Sequence, residues 1–209
     1  CRSRGLGDVY KRQLKLDCEI FLPGHGFPIL GKKRIEKALE TTSKFLRSIE
    51  DQTLKLMNQG KSLNQVLHEV KIPNDLMELP WLTPIYDDPQ FLIRMVWRRY
   101  GGWWDGEYDR LLPAPRKDEA LAWVELSNGI ENIILKALEN LDKGNFKVAA
   151  QLIETAFHAD DDNKQMHDAR AKIYREFSLK QSSSMGRNIL NHASMASAQG
   201  KRDLAQTED

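Results

Sequence analysis

Residues 31–60 read GKKRIEKALETTSKFLRSIEDQTLKLMNQG, and this stretch decides the fold class. Its apolar residues recur at spacings of three, four and seven, while Lys, Glu, Arg and Asp fill the positions between them. This period places the apolar side chains on one face of an α-helix that Gly60 ends. The sequence therefore predicts an amphipathic helix of roughly 28 residues. The apolar face consists of Ile35, Leu39, Leu46, Ile49, Leu56 and Met57.

The helical period returns along most of the remaining chain, so the predicted fold class is mainly α. Ser62 and Gln65 form a capping box that opens a short helix, and Asp88 with Pro89 marks the start of another that ends at Gly101. Glycines, acidic turns and a serine run separate the later helices. We predict these at residues 120–126, 130–141, 148–157, 167–177 and 189–198.

Two segments depart from the helical period. The apolar residues Ile20–Leu22, followed by Pro23 and Gly24, predict one short buried strand. A lone strand needs partners, so we expect it to belong to a sheet that is mostly absent from this chain. Residues 72–84 contain three prolines among apolar residues, and we expect an ordered, partly extended connection there.

The composition is that of a packed globular protein, with 41% hydrophobic and 29% charged residues. No apolar run approaches the ~18 residues that would cross a bilayer, so we expect no membrane span. The formal net charge is only +1. Nucleic-acid binding needs a clustered basic surface, and we expect no nucleic-acid partner.

The first thirteen residues, CRSRGLGDVYKRQ, differ from the rest of the chain and resemble a peptide translated from sequencing-adapter read-through. We therefore leave residues 1–13 out of the fold prediction as an artefact. Without them the formal net charge becomes slightly negative. We expect the natural chain to begin further upstream, which makes this sequence a fragment and leaves both the cytoplasm and the periplasm open as its compartment.

One helix pair has the pattern of a helical repeat. Gly144, Phe146, Ala149, Ile153 and Ala156 match the second half of a tetratricopeptide-like pair, in which small residues let two helices approach closely. Only one such pair is visible, whereas a repeat array needs about three. We interpret the pattern as local hairpin packing, with a full array as the alternative.

His25 is the sharpest candidate for chemistry. It lies in the motif Pro23-Gly24-His25-Gly26 at a strand end, where flanking glycines let the backbone bend and present the imidazole. An imidazole is a good zinc ligand, but zinc takes three or four protein ligands. Metal binding and a turn histidine that only hydrogen-bonds to backbone are both consistent with the motif.

The block RRYGGWWDG supplies candidates for binding an anionic ester. Arginine binds sulfate oxygens in forked geometry, tyrosine donates a hydrogen bond, and indoles hold an alkyl chain. The alternative is that the tryptophans only hold the loop against the helices. The candidate substrate-binding residues are Arg98, Tyr100, Trp103 and Trp104.

Several sequence blocks together carry a family resemblance. The string FLPGHGFPI before a long helix resembles the late metal-ligand loop of the metallo-β-lactamase fold. The blocks QTLKLMNQGKSL, LTPIYDDPQF, WRRYGGWWDG and ALENLDKGNFKVAAQLIETAF follow in order and resemble the dimerisation region of the alkyl sulfatase branch of that superfamily. The resemblance extends from about Leu14 to about Ala198.

The resemblance implies a domain organisation and an activity. Residues 14–59 would be the end of a metallo-β-lactamase-like αβ/βα domain with its connecting helix, 60–198 the helical dimerisation domain, and 199–209 a polar tail. It implies a homodimeric hydrolase with two zinc ions that cleaves alkyl sulfate esters, and His25 matches the last histidine ligand. The HxHxDH ligand motif is missing from this sequence, so we assign no catalytic residue and expect the fragment alone to be inactive.

Two alternative functions stay open. A helical module that only pairs with itself or with another protein would explain the helical part without any hydrolysis. Another hydrolase of the metallo-β-lactamase fold, acting on a different ester or a thioester, would share the PGHG motif but not the helical half.

Overall fold

The computed structural model describes residues 6–204 of the chain, and it confirms the mainly-α fold class. Ten α-helices and one two-stranded sheet lie within these residues. None of the helices described is long and apolar enough to span a membrane. The helices are α1 (Asp8–Gln13), α2 (Lys32–Asn58), α3 (Leu63–Glu69), α4 (Asn74–Met77), α5 (Pro89–Gly101), α6 (Arg116–Leu126), α7 (Ile130–Asp142), α8 (Phe146–Ala159), α9 (Lys164–Leu179) and α10 (Ser184–Ala198).

The chain divides into two compact units. The first, which we call the hairpin unit, contains the residues up to Pro84 together with Pro89–Arg110. The second, the helical unit, contains Ile85–Asp88 and the residues from Leu111 onward. The predicted division at residues 59 and 60 concerns family domains and stays a prediction.

A short β-hairpin lies near the start of the hairpin unit. Strand β1 (Ile20–Phe21) pairs antiparallel with β2 (Ile29–Leu30), and Ile20 lies opposite Leu30. The predicted strand is present as β1, but Ile20 is exposed where we expected a buried strand, and its partner β2 within this chain was not predicted. The second strand was missed because two residues are too few to show an alternating pattern.

Helix α2 provides the core of the hairpin unit. Its length agrees with the prediction, and Gly60 follows its C-terminal end. Of the predicted apolar face, Ile35, Leu39 and Ile49 are buried, and the other three residues are half-buried. The helix packs mainly against α5. The buried cluster contains Phe45, Ile49, Val66, Leu67, Leu76, Leu82, Ile93 and Trp97.

The connection after α2 is more helical than predicted. The capping box at α3 is present: Gln65 N–H bonds to Ser62 Oγ, and Ser62 N–H bonds to Gln65 Oε1. Between residues 72 and 84 the chain forms α4 and a 3₁₀ turn at Pro80–Leu82. Leu79 has an extended backbone conformation, so the connection is partly extended, but the two short helical turns were not predicted. Pro80 begins the 3₁₀ turn, because proline is well tolerated in the first turn of a helix.

The segment that we left out of the fold prediction is structured from Leu6 onward. Helix α1 packs on α2, and the Asp8 carboxylate accepts a 2.6 Å bond from Arg47. The buried Glu50 carboxylate accepts from Leu6 N–H at 2.7 Å. Residues 1–5 of the predicted artefact lie outside the described part of the chain, and its origin stays a prediction.

The helical unit consists of α6 to α10 joined by short connections. Helix α8 packs against α6, α7 and α9, and α9 packs against α10. Short connections favour antiparallel neighbours, so α7 to α10 form successive helix hairpins. Ala149, Ile153 and Ala156 of α8 are completely buried, as the repeat-like pattern requires. Of the predicted polar tail, residues 205–209 lie outside the described part.

Candidate functional site

His25 lies in the exposed loop that joins the two strands of the β-hairpin. Gly26 after it has a φ of 98°, a left-handed conformation that side chains rarely adopt. The paired strands fix the two ends of the loop, and the glycine lets the chain turn sharply at the imidazole. The sequence thus places His25 at the tip of the hairpin, accessible to a ligand.

His25 also lines a cavity of about 630 Å³ in the hairpin unit. Arg34 and Lys37 from the first turns of α2 supply positive charge, and none of the described lining residues is a carboxylate. Trp81 forms one wall, where its indole N–H donates to Thr41 Oγ1 at 3.0 Å. The remaining lining residues are Tyr10, Phe21, Pro23, Gly26, Phe27, Ile29, Ala38, Leu39 and Thr42.

The described residues do not form a complete zinc site. Zinc takes at least three protein ligands, and within residues 6–204 no group of three or more His, Cys, Asp or Glu side chains is placed to share a metal ion. His25 can offer one imidazole nitrogen from an exposed position. Zinc binding by His25 therefore stays a prediction.

The RRYGGWWDG block forms the end of α5 and a loop that packs back on the hairpin unit. Trp97 donates its indole N–H to the Trp104 carbonyl at 2.7 Å, and Leu63 N–H donates to the Asp105 carbonyl at 2.7 Å. Gly106 lies so close to Ser62 that an added Cβ would come within 3.0 Å of its Cα. These contacts fix the loop across the start of α3.

The two adjacent tryptophans differ in environment. Trp104 is half-buried between Trp103 and Tyr108, in edge contact with both rings at centroid distances of 6.0 Å. Trp103 is 80% exposed. Trp104 thus serves the packing of the loop, whereas Trp103 presents its indole to solvent.

Tyr100 has a structural partner. Its hydroxyl donates to Glu50 Oε1 at 2.8 Å, and this hydrogen bond raises the pKa of Tyr100, with burial adding to the effect. Glu50 is only 6% exposed, so the phenol hydroxyl supplies a hydrogen bond to a carboxylate that is buried from solvent. Arg98 is exposed on α5. The single hydroxyl proton of Tyr100 is therefore already donated to Glu50.

The predicted substrate-binding residues do not line the cavity that contains the predicted metal ligand. Arg98, Tyr100, Trp103 and Trp104 are all absent from the lining of the His25 cavity. Their assigned roles, like that of His25, stay predictions.

Sequence reasoning missed a buried charged centre in the helical unit. The Arg170 guanidinium donates to Glu154 Oε1 at 2.6 Å and to Ser197 Oγ at 2.7 Å. It lies between the rings of Phe157 and Tyr174, at 4.5 and 5.1 Å from their centroids. The centre connects α8, α9 and α10. Its only sequence signal is an arginine on the apolar side of α9.

The buried His167 adjoins this centre. Its Nε2 lies 2.7 Å from the Asp161 carbonyl, so Nε2 carries the proton, and its Nδ1 lies 3.2 Å from Ser197 Oγ. Both ring nitrogens thus have protein partners. His167 is therefore a structural residue of the core, with both of its ring nitrogens hydrogen-bonded within the protein.

The folded chain is a mainly-α protein of helix hairpins preceded by a β-hairpin that carries one candidate metal ligand. Comparison with protein families gives a match to the family described as alkyl sulfatase dimerisation, over residues 62–200. The match covers well over half of the chain. The protein belongs to the alkyl sulfatase dimerisation family.

Relatives of known activity align with much of the chain. A linear primary-alkylsulfatase from a Pseudomonas species is 29% identical over 158 residues, which are 75% of this chain and 30% of that protein. The alkyl/aryl-sulfatase BDS1 of Saccharomyces cerevisiae is 27% identical over 87% of this chain and 28% of its own length. The chain thus spans less than a third of these relatives.

Solved structures show the same fold. The stereoselective inverting sec-alkylsulfatase Pisa1 from a Pseudomonas species superimposes with a TM-score of 0.86 at 23% identity, over 93% of this chain and 31% of that one. A double mutant of the sec-alkyl sulfatase PisA1 gives a TM-score of 0.87 over 97% of this chain and 32% of that one.

Proposed function

We propose that this protein acts as an alkyl sulfatase-like hydrolase that cleaves sulfate esters, and that the present chain chiefly pairs two copies into a homodimer. The observation that carries the proposal is the family match over residues 62–200. The alignment of further residues with proteins named as alkylsulfatases supports it, because those alignments extend into the hairpin unit.

The proposal includes two zinc ions, with His25 as one ligand. Its support is the position of the imidazole, which is exposed at the tip of a hairpin whose ends are fixed by strand pairing. Bound zinc would supply an activated water and stabilise negative charge. The chain's own contribution would be to hold one imidazole in place.

For the substrate, we propose that Arg98 and Trp103 are the accessible members of the predicted set. Both side chains are exposed, so they are free to meet a sulfate group and an alkyl chain. Tyr100 and Trp104 have structural partners in Glu50 and Trp97. We assign Tyr100 and Trp104 chiefly to holding this surface in shape.

The test is sulfate release from a linear alkyl sulfate by the protein that carries this chain, purified with its metals. We expect His25→Ala to lower both zinc content and sulfate release, because a ligand is lost. His68→Ala is the matched control, since His68 is exposed and bonds only to the Asn64 carbonyl among the described residues. Full zinc content in His25→Ala would remove His25 from the metal site.

The same assay separates the alternatives. A protein that cleaves a thioester or another ester but no alkyl sulfate would be a different hydrolase of the proposed fold. A protein that pairs with itself and hydrolyses neither would be a helical interaction module.

A further inference from the structure

Helix α6 carries apolar side chains on every side, although the described chain covers only one side of it. Of its 11 residues only Ala120 is buried, and Val124 is half-buried. Leu121, Trp123 and Leu126 are 48%, 53% and 74% exposed. A helix that is apolar all round is typically buried, and a helix of this length depends on packing for its stability. We therefore expect α6 to have a further packing partner.

The exposed side of α6 adjoins a groove of about 460 Å³ between α6, α7 and α8. Trp123 lines the groove from α6, Ile133 from α7 and Leu152 from α8. Two exposed apolar residues extend this surface, each about one helical turn away: Leu126 follows Trp123, and Val148 precedes Leu152. We call the surface formed by these five residues the α6–α8 patch.

The charged residues of this region lie at the edge of the patch. Lys136 lines the groove, where its ammonium bonds to Glu139 Oε2 at 2.8 Å, and Glu119 lies one turn before Trp123. Protein–protein interfaces have the same anatomy, with few charges at the centre and a polar rim. The outward-facing positions of α8 in this region are all uncharged: Val148, Gln151, Leu152 and Thr155.

Other exposed apolar side chains of the helical unit are interrupted by polar groups. Leu135 on α7 is 58% exposed, but Glu131 and Glu139 lie one turn before and one turn after it. On α10, His192 lies between the two exposed apolar residues and bonds to an aspartate. The α6–α8 patch differs from both because three helices contribute to it.

We propose that two copies of this chain pair through the α6–α8 patch, with α6 of each copy lying against the groove of the other across a two-fold axis. The proposal rests on the proposed function, in which the chain forms a homodimer, and adds where the copies meet. A second copy is the occupant because the family model that covers the patch, over residues 62–200, describes alkyl sulfatase dimerisation. An isologous contact uses the same surface twice, and an exposed apolar helix beside a groove supplies both halves of it.

A charge placed in the patch tests the proposal in the protein that carries this chain. Leu126→Glu should weaken the dimer about 30-fold or more, because the two-fold axis brings two unpaired carboxylates into the contact. Leu135→Glu is the matched control, since it makes the same change at an exposed leucine outside the patch, and it should leave the dimer affinity unchanged. Analytical ultracentrifugation over a wide concentration range measures both affinities.

A second measurement decides the matter if Leu126→Glu fails to fold. In protein labelled with 5-fluorotryptophan, Trp123→Phe and Trp97→Phe assign the ¹⁹F signals of the two residues. A soluble gadolinium chelate broadens the signals of exposed side chains. In the dimer we expect the Trp123 signal to broaden no more than that of Trp97, which is only 8% exposed within one chain.

The outcomes separate this proposal from the proposed function. A dimer with equal affinity in the two leucine variants, or with Trp123 open to the chelate, would overturn the patch as the interface and leave the pairing of two copies intact. A monomer at every concentration would overturn both. A monomer in which Trp123 is covered would show that another part of the protein occupies the patch.

Discussion

Arg170 shows how much one side chain can contribute to the helical unit. Its side chain is only 8% exposed, and it joins a carboxylate on α8 to a hydroxyl on α10 while two aromatic rings cover its faces. A buried guanidinium is tolerable only when its donors are paired. Arg170 therefore fixes the mutual positions of three helices.

We predict that Arg170→Ala lowers the free energy of unfolding by about 3 kcal/mol, because it leaves Glu154 without its cation and removes the stacking contacts. Lys164→Ala is the matched control. Lys164 pairs with Asp168 on the exposed side of the same helix, so its loss should cost less than about 1 kcal/mol. Urea denaturation of the three proteins measures both values, and equal losses would contradict the structural role of Arg170.

The lowered pKa of His158 predicts how the free energy of unfolding changes with pH. Burial is the main cause that lowers the pKa of His158 below 6.5; the nearby Glu154 carboxylate opposes this shift, and three arginines, Arg116, Arg202 and Arg170, add to it. The folded chain thus favours the neutral imidazole. The stability that this provides is present above the unfolded value of 6.5 and is lost as pH falls through the lower folded pKa.

The pH effect is measured against a variant that cannot titrate. We expect the loss of unfolding free energy between about pH 7.5 and about pH 5 to be smaller in His158→Gln than in the unsubstituted protein. Carboxylates titrate in both proteins and cancel in the comparison. An identical pH dependence in the two proteins would contradict the lowered pKa.

For single residues, the sequence predicted which side chains are buried better than it predicted their distant partners. The apolar face of α2 could be predicted from its period, because burial follows directly from spacing. Glu50 lies on the same face, four residues after Leu46, but the pattern does not show that Leu6 and Tyr100 donate hydrogen bonds to its buried carboxylate. The partners lie 44 and 50 positions away, and no local pattern reports contacts over that separation.

Among the elements, α10 depends on a segment from the middle of the chain. Ser183 is 1% exposed, and its Oγ donates to the Tyr86 carbonyl at 2.6 Å and accepts from Gly186 N–H at 3.1 Å. Ser184 N–H donates to the Ile85 carbonyl at 2.6 Å. The carbonyls of Ile85 and Tyr86 thus accept hydrogen bonds from the first residues of α10, in addition to the bond that the N-cap residue Ser183 makes within the helix.

We predict that Ser183→Ala lowers the free energy of unfolding by about 1 to 2 kcal/mol, because both the N-cap bond and the bond to Tyr86 are lost. Ser182→Ala is the control, since that neighbouring side chain is exposed. Denaturant titration of both variants gives the comparison. A cost at Ser183 no larger than at Ser182 would contradict the capping role.

At the scale of elements, helices were predicted better than the segments between them. The predicted helix at 130–141 agrees closely with α7, because its apolar period is long and unbroken. The two strands of the hairpin and α4 have two and four residues, which is too short for any period to be visible. The candidate residues could be named from the sequence but not placed, and Trp103 does not line the cavity that contains His25.

For the molecule as a whole, we predict a homodimer. The dimerisation family supports this, and the described chain exposes large apolar side chains such as Leu126 and Leu112 that pairing could cover. Light scattering across a wide concentration range should give twice the chain mass of 24.1 kDa. A soluble monomer at every concentration would contradict the prediction.

The four residues Ile85–Asp88 have a topological consequence. They belong to the helical unit, although the residues on both sides belong to the hairpin unit, so the backbone passes from one unit to the other three times. A protease cut after Arg110 would leave the N-terminal piece still carrying the acceptors for Ser183 and Ser184. No single cut in the chain therefore separates all residues of one unit from all residues of the other.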